Sequence, residues 1–85
     1  MAQAIGELDA LMREEKRLTV LESQTEAWAE GLSAGIEPEI IAEVTLSTAI
    51  AELLRDSGQE AALLLLDRMR ERVTAGEFEE IGVRH

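Results

Sequence analysis

The stretch from Glu22 to Glu52 places the strongest constraint on how this 85-residue chain folds. It carries seven acidic residues, no Lys or Arg, and a nearly continuous supply of Ala, Ile, Leu and Val. A segment so rich in aliphatic side chains is too apolar for a disordered region, and its negative charge opposes contact with phosphate backbones. The pattern therefore predicts folded, acidic structure that does not bind nucleic acid.

The net charge of the whole chain also argues against binding to membranes. The 18 Asp and Glu residues against 8 Lys and Arg give a formal net charge of -10, which repels nucleic acids and anionic lipid surfaces alike. The N-terminal residues resemble no signal peptide, and the longest apolar run, Ala61 to Leu66, is far too short to span a bilayer. The chain has no Cys, which is compatible with a reducing compartment. We expect a soluble, cytoplasmic protein without nucleic-acid or membrane partners.

Helical periodicity runs along the chain, and no strand pattern competes with it. The strong interruptions lie around Gly35 to Pro38 and around Asp56 to Gly58. We predict an all-α fold with a single domain over residues 1–85. It contains a long helix 1 over about residues 3–33, a shorter helix 2 over about 38–55, a helix 3 over about 58–75, and a tail over 76–85.

Helix 1 carries mostly apolar side chains at the spacing of a coiled-coil heptad. Leu11, Leu18, Thr25 and Leu32 are each seven residues apart, and so are Leu21 and Trp28. This spacing places all six side chains on one face of the helix. We call this face the heptad seam; it consists of Leu11, Leu18, Leu21, Thr25, Trp28 and Leu32. Acidic residues, Glu14 among them, interrupt the seam on its N-terminal side, so the apolar pattern is clear from about Leu18 onward and Leu11 belongs to an outlying patch. An alternative interpretation divides helix 1, because residues Thr19 to Glu22 match a capping box that could start a new helix. One continuous helix is favoured, since nothing else there resembles a break.

Local signals also predict where the later helices begin and end. Glu37 stands at a cap position and Pro38 at the first helical position, where the missing N–H of proline costs nothing. The residues from Ser57 to Glu60 match a capping box that opens helix 3, with the Ser57 side chain as the cap. Gly76 is expected to end helix 3. The tail is expected either to dock through Phe78 and Ile81 or to form a short last turn.

The lengths of the helices predict a second copy of the chain. A long helix overhangs two shorter ones, so a monomer of this size leaves apolar side chains uncovered. We predict a two-fold homodimer, in which antiparallel long helices complete a helical bundle. Its predicted interface residues are Leu11, Leu18, Leu21, Trp28, Leu63 and Leu64. The alternatives are a monomeric three-helix bundle, in which Leu63 and Leu64 are ordinary surface leucines, and a role for Trp28 as an anchor for a foreign protein.

Catalytic residues are not predicted. The chain has no Cys or Tyr, and its single His is the last residue, so no nucleophile has a nearby base. The six glycines are scattered, which argues against a phosphate-binding loop, and we predict no cofactor. A basic cluster, Arg68, Arg70 and Arg72, is open to two interpretations: a docking patch for an anion or a partner, or cations that complement the C-terminus of helix 3 and form surface ion pairs.

Acidic side chains give the one candidate for metal binding. Glu22 and Glu26 on helix 1, and Glu39 and Glu43 on helix 2, are each spaced by four residues and so lie on one face of their helix. If the two faces met, their oxygens could bind Mg²⁺ or another hard cation. A ladder of Glu residues at this spacing is more often a solvated face, so no metal site is predicted.

By elimination, the sequence favours a non-catalytic interaction or regulatory module that works as a homo-oligomer. One alternative is a metal-binding helical bundle that uses the four glutamates named above. Another is an antitoxin-like or inhibitor protein, whose negative surface would steer it to a basic protein partner.

Overall fold

The computed structural model of the chain describes the backbone of residues 2–80 and the side chains of residues 5–79. Within these residues the chain forms three α-helices and a final 3₁₀ turn, and no strand occurs among them. The prediction of an all-α fold with one long and two shorter helices is therefore confirmed. The predicted docking of Ile81 and the position of His85 lie outside the described residues.

The first helix, α1, runs without interruption over Ala2–Ser33. At the proposed break, the Thr19 hydroxyl donates a hydrogen bond of 3.0 Å to the Glu15 carbonyl one turn earlier. This side-chain bond is compatible with a helix interior, where a threonine hydroxyl can bond back to the preceding turn. The alternative interpretation, in which Thr19 caps a new helix, is wrong.

The end of α1 is closed by a Schellman motif. The Ile36 N–H donates to the Gly31 carbonyl at 3.1 Å, and the Gly35 N–H donates to the Leu32 carbonyl at 3.0 Å. This arrangement requires a left-handed residue, and Gly35 has a φ of 83°. The chain then enters the second helix, α2, which spans Pro38–Ser57 as the proline predicts.

The joint between α2 and the third helix, α3, corrects the sequence interpretation. Helix α3 spans Gln59–Thr74, and its cap residue is Gly58, with φ 92° and ψ 172°. Ser57 is instead the last residue of α2, and no side chain bonds to the cap of α3. The predicted capping box is wrong, because a glycine with positive φ ends one helix and opens the next without side-chain help.

A short C-terminal turn folds back against α3. Residues Glu77–Glu80 form the 3₁₀ turn, after Gly76 ends the helix. The Arg72 guanidinium lies 4.6 Å above the centre of the Phe78 ring, and its Nε atom lies 2.9 Å from a carboxylate oxygen of Glu77. The turn is therefore attached to the last two turns of α3 by charge and by stacking on the aromatic ring.

By contacts, the chain divides into two units, Met1–Glu43 and Val44–His85. In the first, the described side chains are all exposed except for Gly31 and Ile41, which are half-buried. These two residues approach closely: a Cβ atom added to Gly31 would lie 2.7 Å from the Ile41 Cδ1 atom. This approach brings the last turn of α1 against the first turn of α2.

In the second unit, one described residue, Ala62, is buried, with 3% of its surface accessible. Half-buried side chains surround it on the same face of α3: Ala61, Leu65, Leu66, Met69 and Arg72. The apolar contacts of this unit therefore centre on α3. A single domain over residues 1–85 stays a prediction.

The corrected joint leads to a prediction about two neighbouring residues. We expect Gly58→Ala to lower the free energy of unfolding by about 1–3 kcal/mol, because a side chain is strained at this backbone conformation. Ser57→Ala should change it by under about 0.5 kcal/mol, since Ser57 is a helical residue and alanine is the better helix former. Urea unfolding followed by circular dichroism measures both. A loss of about 1 kcal/mol for Ser57→Ala would restore the capping box instead.

Candidate interaction surface

The heptad seam lies exposed along α1. Leu11 has 66% of its surface accessible, and even Trp28, the most covered of the large apolar seam residues, has 38%. Leu18, Leu21 and Leu32 are exposed as well. An apolar strip of this length on one helix face is the arrangement by which helices pair, because such side chains are stabilised when a second helix removes them from water. The chain presents this strip without covering it.

A shallow, open depression lies in the middle of the seam. It is lined by Leu18, Leu21, Glu22, Thr25 and Glu26. The first four of these follow the spacing i, i+3, i+4 and i+7, which is the four-residue outline of the holes that receive side chains in coiled coils. The depression has a largely apolar floor, with carboxylates on one side of its rim.

The exposure of Trp28 bears on its predicted role. The sequence favoured structural burial of Trp28, in the core or in a dimer, over contact with a foreign protein. Within the single chain Trp28 belongs to no core, because no described side chain of residues 5–43 is buried. Its indole ring is therefore available to a partner, and tryptophan is among the residues that most often dominate interface energies.

Leu63 and Leu64, the predicted interface residues of α3, are both exposed. They lie away from the half-buried face centred on Ala62, as the wide apolar arc of this helix indicates. Sequence reasoning did not single out Val20, an exposed residue on the opposite side of α1 from the seam. It lies outside the heptad pattern, so periodicity gave no signal for it.

The four candidate metal ligands are exposed carboxylates. Glu22 and Glu26 lie on α1, and Glu39 and Glu43 lie on the first turns of α2. Among the residues that the structure describes, no group of three or more Asp, Glu, His or Cys side chains is placed to hold a metal ion. One chain therefore does not bring the four glutamates together.

The arginines of the basic cluster on α3 lie in different surroundings. Arg72 pairs with Glu77 and stacks on Phe78, so it belongs to the attachment of the C-terminal turn. Arg70 lies at an open depression with Glu71, Thr74 and Ala75. The sequence offered surface ion pairs as one interpretation of this cluster, and Arg72 is an instance of it. The contact with Phe78 was missed, because it depends on how the chain turns after Gly76.

None of the helices described between residues 2 and 80 is both long and apolar enough to cross a membrane.

Comparison with known proteins gives no relative. No family model matches the chain, and no curated protein or solved structure matches it significantly. The function of this protein is therefore inferred from its residues and their placement alone.

The contact between Arg72 and Phe78 leads to a prediction. We expect a double-mutant cycle with Arg72→Gln and Phe78→Leu to give a coupling of about 0.5–1 kcal/mol in the free energy of unfolding. The matched control is a cycle on the exposed pair of Arg55 and Glu52, which lie three residues apart on one face of α2 and should couple by about 0.3–0.5 kcal/mol. Thermal and urea unfolding provide the energies. Zero coupling for Arg72 and Phe78 would show that the turn is not held by this contact.

Proposed function

We propose that this protein is a non-catalytic interaction module that works as a homo-oligomer, with the α1 seam as its contact surface. One observation carries the proposal: residues 5–43 include no buried side chain, although α1 carries a regular apolar seam. Helices in proteins obtain most of their stability from packing an apolar face rather than from intrinsic propensity. The seam thus needs a covering surface to stabilise α1.

A second copy of the chain is the simplest covering surface. Closed two-fold dimers are the commonest assemblies of soluble proteins, and a heptad seam is self-complementary by its periodicity. Covering one Leu or Trp side chain fully is worth about 1.5–3 kcal/mol relative to leaving it exposed, so the seam residues together supply enough energy for association. Part of that energy is offset by the cost of bringing two molecules together.

The absence of catalysis is part of the proposal. Among side chains, Cys and Tyr are missing from the sequence, and the only His is His85. We also place the protein in the cytoplasm, which suits a chain without cysteine.

The effect of salt on binding distinguishes a homo-oligomer from a complex with a basic partner. Two copies of a chain with net charge -10 repel each other, and salt screens that repulsion. Self-association should therefore tighten as salt rises from about 0.05 to 0.5 M. A complex in which the acidic surface meets a basic protein weakens over the same range, because salt screens attraction.

The experiment is light scattering of the protein over a range of concentrations, at low and high salt. The fluorescence of the single Trp28 is followed in the same samples, because its indole ring leaves water when the seam is covered. We expect a dimer mass and a blue-shifted emission that appear together and at lower protein concentration in high salt. A monomer at every concentration would contradict the proposal. A mass that rises only with added Mg²⁺, Mn²⁺ or Zn²⁺ would favour the metal-binding bundle instead.

Paired substitutions on opposite sides of α1 test whether the seam is the contact surface. We expect Leu21→Glu to weaken self-association at least tenfold, because it places a charge in the covered strip. The matched control is Val20→Glu, which adds the same charge to an exposed apolar residue about 100° from Leu21 and about 130° from the centre of the seam around the helix. Sedimentation or light scattering measures the dissociation constants. Equal effects of the two substitutions would show that α1 associates through another face.

A further inference from the structure

The pattern of the heptad seam is symmetric about one point in α1, the peptide bond between Thr19 and Val20. Leu18 and Leu21 are equally far from this point on its two sides, and so are Leu11 and Trp28. When two helices lie antiparallel with this point on the two-fold axis, each of these residues faces its counterpart on the other copy. These four large apolar residues then form four apolar layers across the pair. Leu32, the other large apolar residue of the seam, faces Glu7 of the second copy at the edge of the paired region.

The remaining seam position between these layers is polar on both sides. Glu14 is placed symmetrically to Thr25, so the antiparallel arrangement sets a carboxylate opposite a hydroxyl, which can donate a hydrogen bond to it. A parallel arrangement would instead set Glu14 against Glu14 of the second copy. Like charges that face each other in a covered seam are destabilising, so the polar residues favour the antiparallel arrangement.

The depression on α1 agrees with the same register. Its four-residue outline, Leu18, Leu21, Glu22 and Thr25, is centred between Leu21 and Glu22. Leu18 of a second copy lies at this level when the axis passes between Thr19 and Val20, and an aliphatic side chain is what the depression can receive. The depression is lined by residues of the heptad pattern itself, so its position is compatible with this register.

We propose that α1 binds α1 of a second copy in an antiparallel arrangement with the two-fold axis between Thr19 and Val20. Leu18 of each copy inserts into the depression of the other, and Leu11 packs against Trp28. This proposal rests on the proposed function, because it specifies the partner and register of the same surface. It brings Glu15 near Glu22 of the second copy, which adds to the repulsion that salt relieves.

The experiment measures distances between spin labels on the two copies. The chain has no Cys, so Ser23→Cys and Glu30→Cys each give one label per chain, and every measured distance is between copies. Both residues are exposed and lie on the side of α1 away from the seam. In the proposed register, the labels are separated along the helix axis by about 10 Å at residue 23 and about 32 Å at residue 30.

We expect the distance at residue 30 to exceed that at residue 23 by more than about 10 Å, after the sideways separation of the helices is included. Equal distances at the two residues would overturn the register, because they are expected of parallel helices in register or of an antiparallel pair centred midway between the two labels. An antiparallel pair centred elsewhere would change the difference and would also overturn it. The mass of each labelled sample is measured alongside: a dimer with the wrong distances refutes only the register, whereas a monomer refutes the proposed homo-oligomer as well.

Discussion

Burial of apolar side chains supplies most of the free energy that holds proteins together, and the described part of this chain buries only Ala62. The chain forms three helices, but helices gain little stability from their backbone hydrogen bonds alone. Both the stability of α1 and the proposed function therefore depend on what covers its exposed seam. The same side chains that leave the first unit without a core of its own give it a surface suited to a helical partner.

The negative charge of the chain limits what such a surface can bind. Exposed apolar strips associate without selection unless something opposes wrong partners, and a net charge of -10 opposes nucleic acids, anionic lipids and loosely fitted copies of the chain itself. Glu14, Glu15 and Glu22 lie within or beside the seam. The repulsion between these acids lowers the affinity of two copies for each other. A pair of helices overcomes it only when their apolar layers are well aligned, so the acids increase the specificity of association.

Much of the architecture could be predicted from particular residues. Pro38 fixed the start of α2, and the heptad spacing from Leu11 to Leu32 indicated one continuous helix with one apolar face. The same reasoning failed at Ser57, because a capping-box pattern and a glycine with positive φ compete for the same joint, and the backbone geometry of Gly58 decides between them. It also missed the stacking of Arg72 on Phe78, which depends on a turn rather than on helical spacing. How two copies would pack against each other is a question of quaternary structure, and the periodicity of one chain does not determine it.

The single-residue joint at Gly58 has a consequence for how the chain tolerates changes in length. Loops usually accept inserted residues, since their conformation is not tied to the helices on either side. Here one residue both ends α2 and begins α3. An inserted residue that joined α3 would turn every later side chain by about 100° around the helix axis relative to α2. The 3₁₀ turn that contacts α3 would turn with it. This short connection therefore fixes the direction of α3 and of the C-terminal turn relative to the end of α2, and insertions or deletions there change that direction, whereas substitutions within α3 do not.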